Sequence, residues 1–326
     1  MPTGMTTIGT HPTACATRAR AGPLAAASQP LTDSGKMGRR RISRRAILAG
    51  AGAFVVSPFA AAAWGYDPDW LEVRRYAVSV PRLDRVTRVV QVSDLHIDQD
   101  GSCSLRLRER VAEAVRGESP DWVFATGDYI TRPGDSIEEA TSWVAGLDAR
   151  EGVFAVMGNH DSPPVKAALV GKGVTVLSNA WSRVSGIALA GVGDLSRWPH
   201  EPQKVLRTVP PGVGIVLLAH QPDSFWLYDV PVTLQLSGHT HGGQATLFGT
   251  IPAPKILPLL KPWLMKVPAL EPVASESFLE TRRGAWAGFF DRPDRSRLYV
   301  NRGLGRFRRL SFYCPPELTV WELSPA

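Results

Sequence analysis

The chain has 326 residues, 44% hydrophobic and 21% charged, which is globular composition with length for one large core or two small ones. Its formal charge of +7 comes from residues 1–63, where Arg18, Arg20, Lys36, Arg39, Arg40, Arg41, Arg44 and Arg45 face one acid, Asp33; of 37 basic and 30 acidic residues, 29 of each remain in 64–326. A neutral body excludes the nucleic-acid partner that so basic a chain first suggests, and three cysteines without a CxxC pair exclude a disulfide scaffold or a thiolate zinc site.

Residues 1–35 are rich in Ala, Thr, Pro and Ser and show no apolar periodicity, so they read as disordered. A basic run, Arg39-Arg40-Arg41-Ile42-Ser43-Arg44-Arg45, then leads into an Ala/Gly-rich apolar stretch ending at Ala63. This order of basic, apolar and small residues is that of an export signal, and Ser43-Arg44-Arg45-Ala46-Ile47-Leu48 looks like a twin-arginine (Tat) signal. Ala61-Ala62-Ala63 fits a cleavage site that leaves a mature chain from Trp64, with Met37 as the expected start. The same stretch also admits an uncleaved membrane anchor, although Ser57-Pro58 interrupts it. The domain expectation is a leader over 1–63 and one domain over 64–326, exported and periplasmic or associated with the cell envelope, with the Tat translocase as partner.

From residue 86 onward a short apolar run repeatedly ends on a ligand-type residue. Val86–Val92 precedes Asp94-Leu95-His96, Trp122–Ala125 precedes Gly127-Asp128, and Val153–Met157 precedes Gly158-Asn159-His160-Asp161. Ile215–Ala219 ends at His220, and Val232–Leu236 precedes Gly238-His239-Thr240-His241. Such runs read as buried strands. Helical spacing fills gaps at Leu105–Val115 and at Ile137–Leu147, where Asp135-Ser136 is the expected N-cap. Strands alternating with helices predict an α/β fold with its site beyond the strands' carboxyl ends. The runs Ser185–Val192, Leu298–Asn301 and Leu318–Leu323, with no helices between them, predict a second, more antiparallel sheet. The expected architecture is a four-layer αββα sandwich of two mixed sheets.

Five of the seven histidines (His96, His160, His220, His239, His241) fall in these strand-end motifs. Asp94 with His96, and His239 with His241, are two apart and would face one side on an extended chain. Glycines before Asp128, Asn159 and His239 allow close backbone approach. Carboxylate, amide and imidazole donors suit Mn²⁺, Fe²⁺ or Zn²⁺.

Together, Asp94-x-His96, Gly127-Asp128, Gly158-Asn159-His160-Asp161, His220 and Gly238-His239-x-His241 resemble the signature of calcineurin-like metallophosphoesterases, complete and in order across residues 94–241. The resemblance implies two divalent metal ions, one held by Asp94, His96, Asp128 and His241, the other by Asp128, Asn159, His220 and His239. It further implies a metal-bridging hydroxide attacking a phosphate ester, with His160 stabilising the transition state or protonating the leaving oxygen. Asp161 is expected either to orient His160 or to serve as a turn residue before Ser162-Pro163-Pro164.

Gly238–Gln244, Tyr299–Gly305 and Phe312–Glu317 look like a bacterial branch that holds a Tat-exported envelope phosphoesterase and membrane-associated UDP-diacylglucosamine hydrolases. Arg302 is expected either to bind a substrate phosphate or to be a surface residue of a turn. Residues 244–298 form a long insertion, in which 251–270 carries five prolines and three lysines among large apolar residues. That excludes a transmembrane helix and leaves a lid that touches a membrane surface or an acyl chain, or a segment packed on the body. Cys103 and Cys314 read as a bridge or as two buried thiols. The functional expectation is hydrolysis of a phosphorylated small molecule or lipid in the envelope. The alternatives are an anchored pyrophosphatase for a nucleotide-activated lipid A precursor on the cytoplasmic face, and a scaffold without activity.

Overall fold

The computed structural model describes residues 67, 69–243, 246–247, 251–252, 281, 283–305 and 314–326; the expected leader over 1–63 and most of the expected insertion over 244–298 lie outside the described residues. The first sheet has the order β1(Glu72–Val80), β14(Glu317–Pro325), β2(Thr87–Val92), β3(Trp122–Ala125), β4(Val153–Ala155), β5(Thr175–Val176). From β2 to β5 all neighbours are parallel. Such pairing needs crossovers, supplied in turn by α1(Leu105–Glu118), α2(Ile137–Ala145) and α3(Pro163–Gly171).

These helices form where the sequence provides caps and spacing. Ser104 accepts from Leu107 N at 3.0 Å and caps α1, which buries Leu107, Val111 and Val115, four apart, against the sheet. Ser136 accepts from Glu139 N at 3.1 Å and opens α2. The third helix was not anticipated, because Pro163-Pro164 reads as a turn. Proline at the first helical positions loses no helix bond, and α3 starts there.

The second sheet runs β12(Gly288–Asp291), β13(Arg297–Val300), β9(Leu234–Ser237), β8(Ile215–Leu218), β7(Ile187–Gly191), β6(Ala180–Val184). Only its edge strands β12 and β6 are antiparallel to their neighbours; β13, β9, β8 and β7 run parallel. A two-stranded β10(Thr246–Leu247)–β11(Ile251–Pro252) pair stands apart from both sheets. As expected, the second sheet is the more antiparallel of the two, with two antiparallel pairs against one in the first. One expectation is corrected here, since the run at Leu318–Leu323 belongs to the first sheet. There β14 pairs in parallel with β1 over nine registers and antiparallel with β2.

Alternate side chains sort into the layers, as strand periodicity requires. Val90, Val92, Val123 and Ala125 pack under α1, α2 and α3. Val89, Trp122, Phe124 and Trp321 face Val216, Leu218, Leu236 and Tyr299 between the sheets. Among the described residues, the outer face of the second sheet carries the short α4(Pro202–Leu206) and a 3₁₀ turn at Pro222–Trp226, packed through Val205, Leu206 and Phe225. Cys103 and Cys314 are both buried thiols, and no described helix is long and apolar enough to cross a membrane.

Candidate metal centre

Beyond their strands, the loops after β2 and β3 continue side by side. Asp94 N donates to Gly127 O at 2.9 Å, His96 N to Asp128 O at 3.0 Å and Ile97 N to Tyr129 O at 2.9 Å. The ligands do not sit on extended chain, which corrects the reason given for their pairing. Asp94 (φ 50°), His96 (φ 47°), Asp128 (φ 57°), His239 (φ 72°) and His241 (φ 46°) are left-handed. Each such residue costs about 1–3 kcal/mol, and their concentration here marks the site as held by its surroundings.

The side chains converge in two sets, Asp94, His96, His241 and Asp128, His220, His239, with one ligand atom from each residue within 4.8 Å of the others of its set. In the first, His96 Nε2 lies 3.0 Å from His241 Nε2, which lies 3.5 Å from Asp94 Oδ1. In the second, Asn159 Oδ1 stands 2.9 Å from His239 Nδ1 and 3.1 Å from His220 Nε2. Asp128 Oδ2 lies between the sets, 3.1 Å from His220 Nε2 and 3.6 Å from His96 Nε2. All seven residues predicted as metal ligands are therefore brought together.

Backbone carbonyls fix which nitrogen faces inward. His220 Nδ1 points at Thr126 O at 2.7 Å and His241 Nδ1 at Gly305 O at 3.2 Å. When each Nδ1–H donates to its carbonyl, Nε2 keeps its lone pair for a ligand. Burial, reinforced by His241, holds His96 well below the usual histidine range, and burial with His220 pushes His239 down to about 3. Burial also opposes charge on His220, but the Asp128 carboxylate outweighs it and raises that imidazole; Asp128, despite burial, is held far down by the same neighbour. Imidazole nitrogens interleaved with carboxylate and amide oxygens form a donor set that a borderline divalent cation satisfies, so these residues fit two such ions.

Two glycines permit the approach. A Cβ on Gly158 would lie 2.1 Å from Asp128 Oδ1, and one on Gly238 2.2 Å from Asp94 Oδ2. Any side chain at either position would displace a ligand.

His160 is half-buried beside this group. Its N donates to Asp128 Oδ1 at 2.9 Å, its Nδ1 faces Thr131 O at 2.7 Å, and its ring meets the His96 ring edge-on at 5.0 Å. Asp161 does not orient it. The Asp161 carboxylate is buried and accepts from Asp128 N at 2.9 Å, Tyr129 N at 2.9 Å and Gly158 N at 2.8 Å. It therefore ties the β3 and β4 loops together, while burial and Asp128 push it up to about 7. Arg302 is also corrected. It is 7% exposed, with Nε on Glu317 Oε2 at 2.7 Å and Nη2 on Glu72 Oε2 at 2.6 Å, so its guanidinium is committed inside the protein.

Sequence reasoning missed Glu317, Thr126 and Gly305; the two carbonyls have no side-chain signature. A family model described as calcineurin-like phosphoesterase matches residues 87–243. Curated relatives extend over most of the chain. The UDP-2,3-diacylglucosamine pyrophosphatase LpxG of Chlamydia muridarum is 26% identical over 82% of this chain and 94% of its own. The uncharacterized metallophosphoesterase YkuE of Bacillus subtilis is 28% identical over 87% and 98%. The phosphodiesterase YaeI of Escherichia coli is 27% identical over 86% and 99%. With all of its strand-end motifs converging on one metal-binding centre, residues 87–243 match the calcineurin-like phosphoesterases, and the chain is a hydrolase of phosphoric ester bonds similar to these bacterial members.

Proposed function

We propose that this chain hydrolyses phosphate esters or anhydrides with two divalent ions of the Mn²⁺, Fe²⁺ or Zn²⁺ kind, in the cell envelope to which its Tat-type leader delivers it. The observation that carries the reading is Asp128 Oδ2, within 3.1 Å of His220 Nε2 and 3.6 Å of His96 Nε2, so that one carboxylate oxygen reaches both ligand sets. Asp94, His96, Asp128 and His241 are assigned to one ion, and Asp128, Asn159, His220 and His239 to the other. Ions so held supply charge neutralisation for phosphoryl oxygens and an acidified water. His160 is assigned proton donation from Nε2, the nitrogen opposite its Thr131 anchor, to the leaving oxygen as the phosphorus–oxygen bond breaks.

Gln221, directly after His220, lines a cleft of about 420 Å³ together with Ser196, Asp223, Trp226 and Arg283. The Arg283 guanidinium lies 5.6 Å from the Trp226 ring. An aromatic face with polar and cationic neighbours suits the organic part of an ester. The 251–270 segment, with its lysines among apolar residues, supports contact with a membrane surface. The similarity to LpxG supports a second reading for the substrate, a UDP-diacylglucosamine-like lipid; that reading is paired with an uncleaved anchor and a site on the cytoplasmic face.

The test is turnover by residues 64–326, loaded with Mn²⁺, of a phosphomonoester, a phosphodiester, UDP-diacylglucosamine and phospholipids. Hydrolysis of one class identifies the substrate, and two bound ions with no turnover of any would return the scaffold reading. Protease protection in whole cells separates export from a cytoplasmic-face anchor.

A further inference from the structure

We infer that Glu317 is a positioning residue for one half of the metal centre, the half built from Asp94, His96 and His241. This rests on the two-ion reading above. Glu317 is fully buried at the start of β14. Its Oε1 accepts from Tyr299 Oη at 2.5 Å, Thr319 Oγ1 at 2.8 Å and Asn301 Nδ2 at 3.3 Å, and its Oε2 accepts from Arg302 Nε at 2.7 Å. In the β1–β14 register Glu317 stands opposite Glu72, and Arg302 bonds to both acids. A buried carboxylate with this many donors is a rigid anchor, because four hydrogen bonds hold it and its charge is paired.

The anchor grips the 301–305 loop from several sides. Besides the Asn301 and Arg302 side chains, Glu317 N donates to Gly303 O at 3.0 Å, and Gly303 N donates to Asn301 Oδ1 at 2.7 Å. The loop then meets the metal ligands. Leu304 N donates to Ser93 O at 3.0 Å and Gly305 N to Asp94 O at 2.6 Å, while Gly305 O faces His241 Nδ1 at 3.2 Å. Gly303 lies so close to Asp94 that a Cβ there would stand 2.7 Å from the Asp94 Cβ. Thus the carboxylate of Glu317 sets, through one short loop, the backbone of Asp94 and the tautomer of His241. The other half is supported differently. His220 is anchored by Thr126 O, and Asp128 by Asp161, while the direct tie back to the first half is His239 N on the Asp94 carboxylate oxygens at 2.9 and 3.0 Å.

An asymmetry follows that a general loss of stability would not produce. In Glu317→Gln the neutral amide no longer pairs with Arg302, and the loop loosens on the Asp94/His241 side only. The experiment is Mn²⁺ titration of the full chain, read by bound-metal stoichiometry and by the electron-spin signal of a coupled ion pair. The unsubstituted chain is expected to bind two Mn²⁺. Glu317→Gln is expected to keep one at unchanged affinity and to weaken the other roughly tenfold to a hundredfold, with loss of the coupled signal at limiting Mn²⁺.

The cycle is completed in two backgrounds. With His220→Ala, Glu317→Gln should weaken the remaining ion by the same factor; with His241→Ala it should change nothing. Equal weakening in both backgrounds, or in neither, overturns the inference. Should Glu317→Gln fail to fold, Asn301→Ala cuts the tie to Gly303 while sparing the Arg302 pair, and a loss confined to the same half is again required. An unsubstituted chain that binds fewer than two Mn²⁺ would overturn the two-ion reading itself, whereas two ions with no asymmetry in the variants overturns only the role of Glu317.

Discussion

The imidazole rings of His96 and His241 stack at 29° with centroids 4.9 Å apart and Nε2 atoms 3.0 Å apart. Where neither Nε2 carries a proton, two lone pairs point at one small volume and oppose each other. A divalent cation resolves the conflict, so the folded state gains stability when one binds. Addition of Mn²⁺ at a hundredfold its dissociation constant to EDTA-treated protein should stabilise it by about 2.7 kcal/mol per site. Differential scanning fluorimetry would show the rise in melting temperature, and His241→Ala should lose part of it.

Asp128 serves both ligand sets through one oxygen. Asp128→Asn should reduce kcat on a phosphodiester by at least about a thousandfold, because removing one donor for developing charge already costs two to three orders of magnitude. Retained turnover with metal bound would contradict the shared-carboxylate assignment.

His160 contacts the centre from its rim. His160→Ala should lower kcat roughly a hundredfold to ten-thousandfold while bound metal stays at the unsubstituted level. The loss should shrink for p-nitrophenyl esters, whose leaving group needs no proton. Equal losses for good and poor leaving groups would remove His160 from proton donation.

Acid stability has a separate source. Asp121 accepts from Arg88 N at 2.8 Å, Arg85 Nη1 at 3.2 Å and Arg150 Nη1 at 3.3 Å; burial opposes its charge, yet these donors hold its carboxyl below the usual range. A carboxyl lowered on folding contributes stability that is present above the unfolded value and lost as pH falls through the folded one. Urea midpoints should therefore fall more steeply with acidification below about pH 4 in the unsubstituted protein than in Asp121→Asn.

Much of the centre was legible because the chemistry is local. Each ligand closes its own apolar run, so five strand ends announced the site without any knowledge of pairing. The layer order followed from the alternation of runs and helices. What could not be read was long-range. Arg302 resembles a phosphate-binding arginine until its partners appear, and one of them, Glu72, lies 230 positions away. Asp161 looks like a companion to its neighbour His160, but its carboxylate turns to backbone N–H groups of the β3 loop, a choice made by tertiary packing. The assignment of Leu318–Leu323 to the second sheet failed for the same reason, since nothing in a strand's own residues says which sheet it joins. The proposed lid, apart from Ile251–Pro252, falls outside the described residues.

The place of β14 in the first sheet has a consequence for biosynthesis. This strand fills the position between β1 and β2, which precede it by more than two hundred residues, and such distant pairings form slowly. Until the ribosome has released Glu317, β2 has an open edge and the 301–305 loop lacks the carboxylate that braces it beside Asp94. The nascent chain thus carries its metal-binding side chains long before it can close one of the two ion sites, and ion loading at that site belongs to the last stage of folding.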